Sequence, residues 1–410
     1  MSMSAFAHRA GLGENVPTVD EGHKSTRAAC GIRVVASAEA STANAVNAAR
    51  AEFGLENFQH IIAFFSIVHD PEVLLGALAE AFPSTPISGC STAGEIGPLG
   101  MLQGGLVLIG FPEQGFRVLS EIIPDMDEPG IEKAAQIARR LKAQISETHI
   151  GRNKEHVFAM MLIDGLSNKE EALIAAIHWA IDDIELVGGS AGDSLAFQRT
   201  ALIHRGTLMT RGAILFLVET SYPFCVFKTQ NFEPTPIKLV VTAADTEARI
   251  VYELNAEPAA REYAAAIGLQ PDELGPFSFA SFPLVVKIGG DYYCRSIRNM
   301  NPDGSLSFFC AIDEGLVFTV ARPLDMASST LQTLERIDQQ VGGTDLIIGF
   351  DCILRRLDAE SRQARHQVDA LYRRFGVVGF HTYGEQYNAM HLNQTLTGIA
   401  FGKTQAETSS

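Results

Sequence analysis

Val377-Val378-Gly379-Phe380-His381-Thr382-Tyr383-Gly384-Glu385, continued by Met390-His391-Leu392-Asn393-Gln394-Thr395-Leu396-Thr397-Gly398-Ile399-Ala400-Phe401, reads as strand, glycine-rich turn, strand. The same wording occurs earlier as Ile87-Ser88-Gly89-Cys90-Ser91-Thr92-Ala93-Gly94-Glu95. In both, an apolar step leads into Gly-x-x-Thr-x-Gly-Glu. A one-residue-shorter relative is Val187-Gly188-Gly189-Ser190-Ala191-Gly192-Asp193. Three such stretches in similar contexts mark a repeated structural unit.

The residues before each turn support the repeat. Ile61 to Val68, Val157 to Ile163 and Leu346 to Phe350 are apolar runs of strand length. Each is followed by an acidic residue (Asp70, Asp164, Asp351) and then a helical pattern. A carboxylate there accepts backbone N–H bonds at the helix start and faces the positive dipole end. The helical return predicts that the first two strands of each unit are parallel. The glycine turn then permits an antiparallel third strand. Thr200 to His204 is read as pairing with Gly212 to Glu219.

Composition narrows the class. The chain has 410 residues, 46% of them hydrophobic and 20% charged, as in globular proteins. A net charge of −16 argues against a nucleic-acid or anionic membrane surface. No apolar run reaches the length of a membrane span, and the N-terminus lacks an apolar signal core. A cytoplasmic location is expected. Six scattered cysteines without Cys-x-x-Cys read as reduced, buried thiols.

Residues 1–29 read as a polar, disordered leader and 403–410 as a polar tail. Asn231-Phe232-Glu233-Pro234-Thr235-Pro236 reads as a boundary, because two prolines interrupt the pattern. This gives an N-terminal domain over 30–232 and a C-terminal domain over 233–402. Beyond the boundary, Gly289-Gly290-Asp291 and Asn301-Pro302-Asp303-Gly304 punctuate short strands. The expected fold is α+β: repeated strand-helix-strand-strand units form mixed sheets covered by helices, with an antiparallel meander added.

Together these motifs resemble the FIST family, an N-terminal FIST region followed by a FIST C-terminal region. The N-terminal resemblance rests on residues 89–95 and 188–193. The C-terminal one rests on Tyr292 to Ile297, Asn301 to Gly304, Asp313-Glu314-Gly315, Gly379 to Glu385 and Asn393-Gln394-Thr395. The resemblance implies an intracellular signal-sensing regulator without catalytic activity. Stand-alone members include NosP-type haem proteins, which sense nitric oxide and control a separate histidine kinase or cyclic-di-GMP enzyme. Haem b would require an axial ligand and an apolar slot. His391, in the family-like Met390-His391-Leu392-Asn393-Gln394-Thr395 run, is the first expected iron ligand. His381 is second, with Tyr383 and Met390 as neighbours.

A haem-free alternative places a small metabolite such as an amino acid at the glycine turns. If the three turns converge, they offer backbone N–H groups with Thr92, Glu95, Ser190, Asp193, Thr382 and Glu385 to a zwitterion. Arg295 and Arg298 are further candidates for a carboxylate. A ligand-free interaction scaffold would look the same. Gly188-Gly189-Ser190-Ala191-Gly192 also fits the nucleophile elbow, but that motif requires a helix after the turn, and residues 194–204 read as loop and strand.

Overall fold

The computed structural model describes residues 22–403, apart from 55, 125 and 149–152. Residues 1–21 of the leader and 404–410 of the tail lie outside the described residues. His23–Arg27, read with the leader, forms an edge strand against Arg33–Ser37. The fold is α+β.

The repeat is complete three times over. In the first unit the strand Arg33–Ser37 leads to the helix Thr42–Phe53, and the strand Phe58–Phe65 to the helix Pro71–Ala81. Then come the strand Ile87–Ser91, a hairpin (Glu95–Gly97, Gly100–Leu102) and the closing strand Leu106–Pro112. The second unit repeats this order from Phe116–Ile123 to Ala213–Thr220. The third runs from Phe224–Gln230 to Thr395–Gly402. The helix-linked strands are parallel in all three: Phe58–Phe65 with Ile87–Ser91, Val157–Ile163 with Glu185–Ser190, and Thr344–Cys352 with Val377–Thr382.

Each unit gives its hairpin to another. The first hairpin pairs beside Val377–Thr382 of the third unit (Gly379 opposite Ile96). The third, Glu385–Tyr387 with Met390–Leu392, pairs beside Glu185–Ser190 of the second. The second, Leu202–His204 with Thr207–Met209, pairs beside Ile87–Ser91 of the first. The exchange closes a ring. It also corrects the expected pairing of Thr200 to His204 with Gly212 to Glu219. That long strand instead lies between Val157–Ile163 and Phe116–Ile123, where both of its faces are buried.

Alternation along the central strands explains why both faces are apolar. Ile62 and Phe64, Phe158 and Met160, and Ile348 and Phe350 point into one core shared by the three sheets. Ile61, Ala63, Val157, Ala159 and Ile347 point outward onto each sheet's own helices. Phe64, Phe350 and Phe380 meet across units, with Phe64–Phe380 ring centroids 4.6 Å apart. Each fully buried side chain of this size contributes about 1.5–3 kcal/mol.

The acidic residues before the helices do not share one role. Asp70 caps its helix as expected, accepting the N–H groups of Glu72 and Val73 at 3.0 and 3.2 Å. Asp164 instead accepts the Leu166 N–H and the Thr200 hydroxyl. Asp351 lies inside its strand, opposite His381 in register, and pairs with the fully buried Arg355 at 2.7 Å.

Residues 232–323 form an insertion within the third unit, between the strand Phe224–Gln230 and the helix Met326–Gln340. It is an all-antiparallel sheet backed by the helices Ala259–Ala266 and Pro276–Ser281, with its own core around Leu239, Tyr263, Phe308 and Phe318. All six cysteines are buried free thiols. Among the described residues no helix is long and apolar enough to cross a membrane.

Candidate ligand-binding site

The three glycine turns meet, as the haem-free reading expects, but they bind one another. The Ala93 N–H donates to the His381 carbonyl and the His381 N–H to that of Gly94, at 2.9 and 2.7 Å. The Tyr383 and Ser190 N–H groups donate to Ser190 and Gly384 at 3.1 and 2.8 Å, and the Gly192 N–H to Ser91 at 3.1 Å. These backbone donors are therefore used within the ring. They do not face a ligand.

The first and third turns are closed the same way. Thr92 donates to Glu95, whose other oxygen accepts the Gly105 N–H at 2.8 Å. Thr382 donates to Glu385, which also accepts the Thr395 hydroxyl and N–H at 2.8 and 3.2 Å. All four side chains are fully buried. Burial pushes the carboxyl groups of Glu95 and Glu385 up to about 7 and about 8, against the hydrogen bonds they accept.

The second turn is opened. Residues 194–201 separate Asp193 from its hairpin, and Ser194, Leu195 and Phe197 take positive φ. Asp193 holds this loop by accepting the N–H groups of Phe197, Gln198 and Arg199 at 2.8, 2.7 and 2.9 Å. It also accepts the Tyr383 hydroxyl, which in turn accepts the N–H groups of Asp193 and Leu195. The Tyr383 ring stacks on Phe197 at 4.5 Å.

Between this loop and the inserted sheet lies a cavity of about 360 Å³. The core side supplies Gly165, Leu166, Asn168, Glu170, Phe197, Gln198 and Tyr383. The insertion supplies Arg249, Arg298, Phe308 and Phe309. Arg249 bridges Glu170 and Glu171 at 3.0 and 2.6 Å. Burial opposes its charge, but the two carboxylates more than compensate and hold its pKa above the ordinary value. Arg298 has no acidic partner among the described residues; its one side-chain bond is to Asn299 Oδ1 at 3.3 Å. Partial burial and the Arg249 charge push its pKa down. The cavity thus presents one unneutralised guanidinium, amide groups and an aromatic wall.

Of the residues expected from sequence, Tyr383 lines the cavity, Asp193 organises its loop and Arg298 faces it. Thr92, Glu95, Thr382 and Glu385 close the other two turns. Ser190 Oγ accepts the Gln386 amide at 3.0 Å; no histidine reaches it among the described residues. Arg295 donates to its neighbour's carbonyl, Cys294, and is not at the cavity. Arg249, Glu170, Asn168, Gln198 and Phe309 were not anticipated. Only the Gly165–Asn168 loop and the glycine turn before Gln198 carried a local signal.

The histidines do not fit haem as they are placed. His381 is fully buried in its strand with Nδ1 3.5 Å from Asp351, and neither ring nitrogen has a hydrogen bond. Burial, then Arg356, Arg365 and Arg355, push its pKa well down. His391 is packed against Gly384, with Gln386 Nε2 3.4 Å from Nδ1, and Met390 is half-buried beside it. Neither His381, His391 nor Met390 lines this cavity or a second one of about 230 Å³ near Arg362. A porphyrin at either histidine would require the strands to part. Among the described residues no cluster of three or more His, Cys, Asp or Glu side chains is placed to hold a metal ion.

Two family models match the chain, and they meet inside the inserted sheet. Residues 59–257 match the FIST N domain and residues 259–388 the FIST C domain. The chain is similar to uncharacterized protein MJ1623 of Methanocaldococcus jannaschii, 22% identical over 302 residues. The similarity covers 72% of this chain, which spans about half (52%) of that relative's length. The two domain matches adjoin and together run from residue 59 to residue 388, so the chain belongs to the FIST family of signal-transduction sensor proteins.

Proposed function

We propose that the chain is a sensor of a small carboxylate-bearing metabolite, of amino-acid size, bound in the cavity between the second turn's loop and the inserted sheet. One observation carries this reading: Arg298 faces the cavity without an acidic partner, while the neighbouring Arg249 is fully paired. A carboxylate satisfies that guanidinium with charge-assisted hydrogen bonds. Asn168 and Gln198 supply donors and acceptors for the ligand's remaining polar groups, while the Tyr383 hydroxyl stays committed to the loop. Phe197 and Phe309 receive its apolar part. The role is sensory rather than catalytic. The output passes to a separate enzyme, a histidine kinase or a cyclic-di-GMP enzyme, a step supported by the family alone.

The test is a thermal-shift and calorimetric screen of amino acids and simple carboxylates, run on the parent chain and on Arg298→Ala. A ligand at a hundred times its Kd raises stability by about 2.7 kcal/mol. The expected result is stabilisation by at least one carboxylate that Arg298→Ala abolishes while its ligand-free melting stays within about 0.5 kcal/mol. No response from any compound, or an undiminished response in Arg298→Ala, rejects the reading. The haem reading draws on the two unbonded nitrogens of His381. Adding haem and then nitric oxide provides a separate arm. A stoichiometric Soret band lost in His391→Ala or His381→Ala would replace the carboxylate reading with that one.

A further inference from the structure

The inserted sheet owns its core. The cluster around Leu239, Tyr263, Phe308 and Phe318 contains only residues of the insertion. The shared core of the three units and the cores under their helices contain none. The insertion joins the third unit through two crossings that lie together. The Leu324 N–H donates to the Asn231 carbonyl at 2.7 Å, and Phe232–Asp245 pairs with Val317–Pro323 immediately beyond, Phe232 opposite Pro323. Arg355 anchors both crossings from inside the unit. It is fully buried, donates to Asn231 and Thr330 at 2.9 and 3.0 Å, and pairs with Asp351.

Away from this tether the contacts with the units are mostly polar. Arg249 reaches Glu170 and Glu171, and the second oxygen of Glu171 accepts the Ala311 N–H at 3.1 Å. Arg362 donates to Ser281 at 3.0 Å, and Gln394 to the Phe279 carbonyl at 3.4 Å. Rings of the insertion also meet the units: Phe309 lies near Phe197, and Tyr293 and Phe277 lie under Lys228 and Arg362. A body with its own core, a narrow two-strand tether and a polar interface moves relative to its neighbour unless something latches it.

We infer that the inserted sheet is a hinged clamp, turning at Asn231 and Leu324, that closes over the cavity and is latched by Arg249 between Glu170 and Glu171. This rests on the cavity being the sensing site. A ligand touching both walls prefers the closed arrangement and shifts the population toward it. The moving surface of the sheet is then what a partner reads.

The clamp can be tested without a ligand. The chain has one tryptophan, Trp179, exposed on the helix Glu170–Ile181 whose first residues form the latch. Its cysteines are all buried, so Glu253→Cys on the exposed side of the insertion takes a fluorescent acceptor selectively. Donor lifetimes of Trp179 are compared with the latch intact, in Glu171→Gln and in Glu170→Gln with Glu171→Gln. The expected result is a stepwise lengthening and broadening of the lifetime as the latch is removed, with helix content unchanged by circular dichroism. If the double variant unfolds, Glu171→Gln, a third exposed and leaving the Glu170 pair in place, decides alone. Lifetimes identical to the parent in a folded latch variant overturn the clamp. That failure leaves the Arg298-dependent carboxylate response standing, and failure of that response leaves the hinge standing.

Discussion

The first and third glycine turns differ from the second in one respect, and the candidate site follows from it. In the first and third, a threonine and a glutamic acid close on each other and the chain passes directly into its hairpin. In the second, Ala191 stands where those turns have threonine and Asp193 takes over three loop N–H groups, so residues 194–201 bulge out beneath the inserted sheet. The repeat supplies a rigid ring of sheets. The departure from the repeat supplies an opening with polar walls. A site built on the edge of a rigid scaffold keeps its geometry while its loop varies.

The largest effect is expected where the three units are most alike. Gly89, Gly188 and Gly379 hold the same place in each unit, opposite Ala63, Met161 and Gly349 of the parallel neighbour. A Cβ there would lie 1.9, 2.2 and 1.9 Å from the neighbour's carbonyl oxygen. Alanine at any one of them should cost more than about 4 kcal/mol and is expected to prevent folding, which denaturant titration would read. A tolerated Gly188→Ala would show that the second unit is looser than the others throughout, rather than at its loop alone. Next in size is Asp193→Ala. It leaves the Phe197, Gln198 and Arg199 N–H groups without an acceptor and should cost about 2–3 kcal/mol, with loss of the carboxylate response. A variant as stable as the parent would mean that the loop holds itself.

Much of the ring was legible because its signals are local. Apolar runs such as Val157 to Ile163, helical spacing after them and repeated Gly-x-x-Thr-x-Gly-Glu wording carry the parallel pairs. The exchange of hairpins was not legible, since Gly379 opposite Ile96 depends on a pairing between residues far apart in sequence that no local pattern encodes. The sequence shows Asp193 closing a shortened turn, whereas in the structure it begins a longer one. The cavity was legible only in fragments. Tyr383, Asp193 and Arg298 stood in recognisable stretches, whereas Arg249 and Glu170 gain meaning only when the insertion folds over the second unit. His391 and His381 drew attention by chemistry, and packing placed both inside the sheets.

The two closed turns give the chain a pH dependence. Glu95 and Glu385 hold their protons in the folded chain up to about 7 and about 8, against an ordinary 4.5. Between those values the unfolded chain has already lost protons that the folded chain keeps. Their contribution is therefore complete below about pH 4.5 and falls as pH rises toward 8, by up to about 1.4 kcal/mol per pH unit for each group. Glu385→Gln should flatten this slope between pH 5 and pH 8 in urea titrations. An unchanged slope would mean that other groups set it.

The smallest effect tests the assignment of the two arginines three positions apart. Both Arg295 and Arg298 are candidates from the sequence, Arg295 the one first expected at the site. Arg295 is half-buried and donates to the Cys294 carbonyl, while Arg298 faces the cavity. A single neutral acceptor on the adjacent residue makes little difference to stability. Arg295→Ala should therefore change stability by less than about 0.5 kcal/mol and leave the carboxylate titration unchanged. If Arg295→Ala weakens the ligand as much as Arg298→Ala does, the guanidinium that reads the carboxylate is not fixed by position. The response would then report the general positive field of this edge of the sheet, and the open second turn would lose its standing as the feature that selects the ligand.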